Sequence, residues 1–175
     1  MAAREGTSPW TPFILDVEAS GLGTDSYPIE IGVALEPGRR QAYLIAPLEE
    51  WTHWDPSAER LHGLSRRTIA LHGRPVATIA GLLNERLRGL TLYSDGWVVD
   101  RPWLTRLFHA ARAPMSFELS PIERILSEAQ MGLWDETKRA VERELAATRH
   151  RASHDAWIVQ ETWLRTRAAL DGTAD

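Results

Sequence analysis

The chain has 175 residues, 43% of them hydrophobic and 25% charged, which suits one globular domain that buries a core without disulfides. It contains no cysteine, which excludes a disulfide framework, a thiolate zinc site and a cysteine nucleophile. With 20 basic against 24 acidic residues, the net charge of -4 excludes the basic footprint of a protein that coats nucleic acid, but not a nuclease gripping one chain end.

No apolar run reaches about 18 residues and no signal-peptide layout opens the chain, so a soluble, cytoplasmic protein without membrane contact is expected. The basic residues are 19 Arg and a single lysine, Lys138. Arg suits phosphate recognition, but a genome-wide codon bias explains the excess at least as well and is the preferred reading. No internal repeat or interdomain linker divides the sequence. One domain over 1–175 is expected, with residues 1–10 as a loose tail.

The first strand is read over Phe13 to Glu18, followed by the turn-rich "SGLGTDSYP". "PIEIGVALE" reads as a second strand, with Ile29, Ile31 and Val33 on one face, and "RRQAYLIAP" as a third, joined by antiparallel hairpin connections. Residues 48–75 read as a long loop with short helical turns. "PVATIAGLLNERL" places Val76, Ile79, Leu83 and Leu87 on one helical face. "LTLYS" is a short buried strand, "RPWLTRLFHAAR" a helix with Pro102 in its first turn, and "MSFEL" a last strand. "SPIERILSEA" carries the pattern of a capping box, Ser120 with Glu123. "WDETKRAVERELAA" and "ASHDAWIVQETWLRTRAAL" read as two final helices. The order β-β-β-α-β-α-β followed by helices predicts an α/β fold, a mixed sheet with packed helices.

Within the first strand, alternation points Ile14, Asp16 and Glu18 one way and Phe13, Leu15 and Val17 the other. Two carboxylates roughly 6.5 Å apart raise each other's pKa unless something positive intervenes. A strand edge facing solvent accommodates such a pair, and so does a site for a hard divalent cation, which takes carboxylate oxygens. A two-metal phosphodiester site needs further acids from other elements. Asp100, in "SDGWVVDRPWL", is one candidate; a helix N-cap is its alternative role. Asp95 is a rival that turn chemistry explains. His150 and Asp155, in "HRASHDA", form the other candidate, with the imidazole able to take a proton near neutrality. A solvated helix start bearing two surface histidines is the alternative there.

D-x-E ending the first strand, an Asp followed at +3 and +4 by Trp103 and Leu104, and H-x-A-x-x-D-A together resemble the DEDDh (DnaQ-like) 3′–5′ exonucleases. "EASGL", "YPIEIGVAL" and "LHGLS" are similar to further segments of that family. The resemblance spans Phe13 to about Leu170 and implies a ribonuclease H-like fold: a mixed five-stranded sheet with helices on both faces. It implies that Asp16, Glu18, Asp100 and Asp155 hold two divalent ions, Mg²⁺ or Mn²⁺, and that His150 is the general base. Ala19, Ser20, Gly21 and Leu22 are then the turn that grips the terminal nucleotide, with Leu22 as an apolar wedge. The implied reaction is hydrolysis from the 3′ end of single-stranded DNA or RNA to 5′-mononucleotides, the residues leaving DNA and RNA open. Relatives are often dimers, so a homodimer is one implied assembly. The chain departs from the family at Gly96 and Val99, where relatives carry Asn and an aromatic residue.

Three other readings fit parts of the sequence. His150 and His154 at i and i+4 suggest a zinc hydrolase, but Arg151 stands where that pattern needs Glu. A nucleic-acid-binding module of the same fold would ordinarily have lost an acid. Trp51 and Trp54, flanking His53, could bind a partner or cap the core.

Overall fold

The structure, a computed structural model, describes residues 10–145 and 150–172. Almost all of the expected tail, and the end of the penultimate helix at Ala146 and Ala147, therefore lie outside the described residues. The strands are β1 (Phe13–Ala19), β2 (Pro28–Glu36), β3 (Arg39–Leu44), β4 (Thr91–Ser94) and β5 (Glu118–Pro121). They form one sheet in the order β3-β2-β1-β4-β5. β1–β2 and β2–β3 are antiparallel, whereas β1–β4 and β4–β5 are parallel. Two hairpins thus build one half of the sheet and helical crossovers the other.

The helices are α1 (Pro56–His62), α2 (Arg66–His72), α3 (Val76–Leu87), α4 (Trp97–Ala110), α5 (Glu128–Glu144) and α6 (Ala152–Asp171). Strand alternation sends Leu15, Val17, Ile31, Val33 and Leu92 into a core with Ile79 and Leu83 of α3 and Leu104 and Leu107 of α4. Ile14 and Ala34, on the opposite face, pack with Ala156, Val159 and Trp163 of α6. Helices therefore cover both faces of a mixed five-stranded sheet, and Asp16 and Glu18 share the α6 face with Ile14.

Four boundaries differ from the sequence reading. Residues 48–75 contain two true helices, α1 and α2. Asp55 caps α1 by accepting from Ser57 N–H with Pro56 behind it, Gly63 ends it at φ 69°, and Ser65 caps α2. Helix α4 begins at Trp97, so Asp100 lies in its first turn rather than at an N-cap. Ser120 and Pro121 make no capping box. They pair with Tyr93 and Ser94 in the parallel ladder of edge strand β5, a place a proline tolerates, and a 3₁₀ turn over Ile122–Ile125 follows. The capping box that forms is Ser127 with Gln130, and it starts α5 six residues before Trp134.

Candidate metal centre

Asp16 and Glu18 reach the α6 face where β1 and β2 lie side by side, Asp16 opposite Gly32 and Glu18 opposite Glu30. Gly32 lets α6 approach: a Cβ there would lie 2.0 Å from the Ala152 carbonyl carbon and 2.1 Å from Ser153 N. Glu30, fully buried, then fixes the helix start. Its carboxylate accepts from Arg151 Nη2 at 2.5 Å, from Arg151 Nε at 3.0 Å and from Ala152 N–H at 2.9 Å. The clamp delivers Asp155, in the first turn of α6, to the β1 carboxylates. One ligand oxygen from each of Asp16, Glu18 and Asp155 falls within 4.8 Å of the other two.

Asp100 adjoins this trio without joining it. The residue is 2% exposed, and its carboxylate receives hydrogen bonds from the Ser94 hydroxyl and the Val17 backbone. Ser94 also accepts Gly96 N–H at 2.9 Å, and a Cβ on Gly96 would sit 3.2 Å from Asp100 Oδ2.

All four acids are shifted in the same direction. Burial first, then the charges of Asp100, Glu18 and Asp155, hold the Asp16 carboxyl well above the usual carboxylate range. Burial, then Asp155 and Glu30, raise Glu18 to about 8 against a partial offset from Arg151. Burial raises Asp100 to about 7, with the Ser94 hydrogen bond opposing, and raises Asp155, with His150 opposing. Carboxylates gathered this closely with so little compensating charge match the donor set of a hard divalent cation.

His150 adopts a left-handed backbone, φ 60°, two residues before α6, and its backbone hydrogen-bonds the Asp155 carboxylate. A non-glycine residue held there is uncommon and marks a position fixed by its surroundings. With Asp16, Asp155, Asp95, Lys138 and Glu142 it lines a cavity of about 220 Å³. On the other side of the trio, Glu18 borders a second, more apolar cavity of about 230 Å³. Ala19, Gly21 and Leu22 line that cavity, together with Ala58, Leu61 and His62 of α1 and Trp103 of α4. Leu22 is 83% exposed at its rim.

Ser20 is different from its neighbours in the turn. It is buried, and its hydroxyl bonds His53 Nδ1 at 3.0 Å and accepts Tyr27 N–H at 3.1 Å. Its carbonyl accepts Asp55 N–H at 2.8 Å, tying the turn to α1.

His154 is not the surface residue that the sequence suggested. It is buried, Arg40 Nη1 donates to its Nδ1 at 2.5 Å, and it packs edge-on against Trp157. An adjoining guanidinium disfavours a second cation, so the His150–His154 zinc pair does not form. Trp51 stacks on Tyr27 with centroids 5.0 Å apart, and half-buried Trp54 donates to Glu59, so both tryptophans cap the core. The sequence reading missed Glu30, Arg151, Lys138 and His53. Each works through a partner distant in sequence, and only the lone lysine carried a signal of its own.

No family model matches the chain, and no curated protein does. Solved structures of exonuclease I are similar in fold. The zinc-bound E. coli exonuclease I complex with single-stranded DNA aligns with 94% of this chain and 41% of that chain, at 12% identity and a TM-score of 0.60. The E. coli enzyme with a dA16 oligonucleotide gives 92%, 43%, 12% and 0.62. Exonuclease I from Methylocaldum szegediense gives 93%, 43%, 14% and 0.58. The likeness supports the ribonuclease H-like α/β fold, and this chain spans less than half the length of those proteins. Among the described residues, no helix is long and apolar enough to cross a membrane.

Proposed function

We propose that this chain is a metal-dependent 3′–5′ exonuclease acting on single-stranded DNA or RNA and releasing 5′-mononucleotides. One observation carries the reading: the carboxylate trio lies between an apolar cavity rimmed by Leu22 and a polar cavity containing His150. The first suits a terminal base and sugar, and the second suits a water and the base that takes its proton. Asp16, Glu18, Asp155 and Asp100 would hold two divalent ions, Mg²⁺ or Mn²⁺. Bound there, such ions polarise phosphoryl oxygens and offset the charge that develops during hydrolysis.

The chain's own groups do the remainder. Leu22 and Leu61 flank the base, and Trp103 closes the wall behind it. Ser20 acts indirectly, holding the turn through His53 and Tyr27. His150 accepts the proton of the attacking water. Arg151 and Glu30 keep the start of α6 in register with β1.

The test uses 3′-labelled and 5′-labelled single strands of DNA and RNA, each with Mg²⁺, Mn²⁺ or EDTA. Stepwise loss from the 3′ end, abolished by EDTA and by Asp16→Ala, is the expected result. Near wild-type cleavage by Asp16→Ala at saturating Mg²⁺, or rapid cutting of a closed circle, would overturn the assignment.

A further inference from the structure

Lys138 stands apart from every other cation in the chain. The remaining 19 basic side chains are arginine, and Arg151 shows what that side chain can do: its fork grips the Glu30 carboxylate with two nitrogens. The one lysine projects from α5 into the polar cavity that Asp16, His150 and Asp155 also line. Its ammonium pairs with Asp95, and Asp155 and Glu142 also lie within its field. An ammonium carries three donors, and Asp95 engages one of them.

Anchoring α5 does not account for this lysine. The Ser127–Gln130 box already fixes the start of that helix, and the Gln130 bond to Thr166 ties it to α6. A Lys–Asp pair whose side chains remain 30% and 21% exposed adds little stability, on the order of 1 kcal/mol or less. A compact, mobile point charge beside three carboxylates instead suits an anion that enters the same cavity.

We propose that Lys138, seated by Asp95, contacts a non-bridging oxygen of the phosphate that is cleaved. The inference rests on the exonuclease reading above and adds a substrate contact to it. Asp95 then serves as the positioning residue, steering the ammonium until substrate arrives.

The test compares two 5′-fluorescein single strands, one with an ordinary terminal linkage and one whose terminal linkage is an uncharged methylphosphonate. Binding is followed by anisotropy with Mn²⁺ present, in a His150→Ala background so that strands persist. Lys138→Met should weaken the ordinary strand about tenfold, the scale of one charge-assisted hydrogen bond, and the methylphosphonate strand less than about twofold. Lys138→Arg should restore most of the difference, and Lys138→Gln serves as a second neutral variant if the Met protein folds poorly. Equal weakening of both strands, or none of either, overturns the Lys138 contact while leaving the exonuclease reading in place. A wild-type chain that neither binds nor cleaves either strand overturns the exonuclease reading and the contact together.

Discussion

Glu18→Gln replaces a carboxyl by an amide of the same shape, so it tests what the trio costs the fold when no cation is supplied. In the folded chain Glu18 keeps its proton to about 8, against 4.5 when unperturbed. Between those values the folded state binds more protons than the unfolded state. The stability linked to Glu18 is therefore fully present below about pH 4.5 and is lost as pH rises through about 8. The full displacement sets a ceiling of roughly 5 kcal/mol. Residual solvent contact and proton sharing with Asp16 and Asp155 reduce it to about 1–2 kcal/mol. For a chain of this size that is about 3–6 °C in melting temperature. Thermal melts in EDTA should show Glu18→Gln equal to wild type near pH 5 and more stable by that amount near pH 9. Saturating Mg²⁺ should raise the wild type more than the variant and close the gap. An offset independent of pH, or a variant less stable at pH 9, would refute the account of Glu18 as a strained ligand.

The other predictions concern the base, the helix clamp and the apolar cavity. His150→Ala should slow single-turnover cleavage by about 10²–10⁴-fold. His154→Ala should leave that step near wild type while lowering the melting temperature, because His154 packs with Arg40 and Trp157. Gly32→Ala should destabilise by about 3 kcal/mol or more in chemical denaturation and weaken Mn²⁺ binding, since its methyl would meet the Ala152 backbone. Glu30→Gln should cost about 1–3 kcal/mol by the same assay, less than for a fully buried pair because the Arg151 side chain is 39% exposed. Leu22→Ala, at an 83% exposed position, should leave melting unchanged and weaken anisotropy-measured binding of single-stranded ends. In gel assays, a 3′-phosphate block should protect the strand.

The elements most legible in the sequence were those whose period repeats locally. Strand alternation put Asp16, Glu18 and Ile14 on one face, and the spacing of Ile79 and Leu83 marked α3. The helices α1 and α2, with seven residues each, are too short to display a period. Their readable signals were the caps, Asp55-Pro56 and Ser65. The Ser120–Glu123 pattern misled because the ladder with β4 claimed Ser120 and Pro121 first. Asp100 was visible as an acid, but its burial against Ser94 and Val17 was not, since that depends on where α4 meets β1 and β4. His154 looked exposed because nothing local reveals that Arg40, 114 positions earlier, lies over it.

One rung of the sheet holds an acid that the chain pairs beside one that it leaves largely unpaired. Glu18 and Glu30 are paired across β1 and β2, so their side chains share a face and the same neighbourhood. Glu30 receives both nitrogens of a guanidinium edge and a backbone N–H, which meets its charge within the chain. Glu18 has only the weaker pull of that same Arg151 against Asp155, Glu30 and Asp100, and its carboxyl rises to about 8. If the fold required only neutrality, an apolar residue at position 18 would serve it better, as it does at Ile14 four positions back on the same face. An acid kept where the chain leaves it undercompensated, beside Asp16 in the same condition and Asp155 only partly offset by His150 and Lys138, points to a positive charge supplied from outside. Lys138 supplies only part of the compensation: it offsets Asp155, while its ammonium pairs with Asp95. A divalent cation would meet the charge that remains on Asp16, Glu18 and Asp155, with a cavity on either side of them.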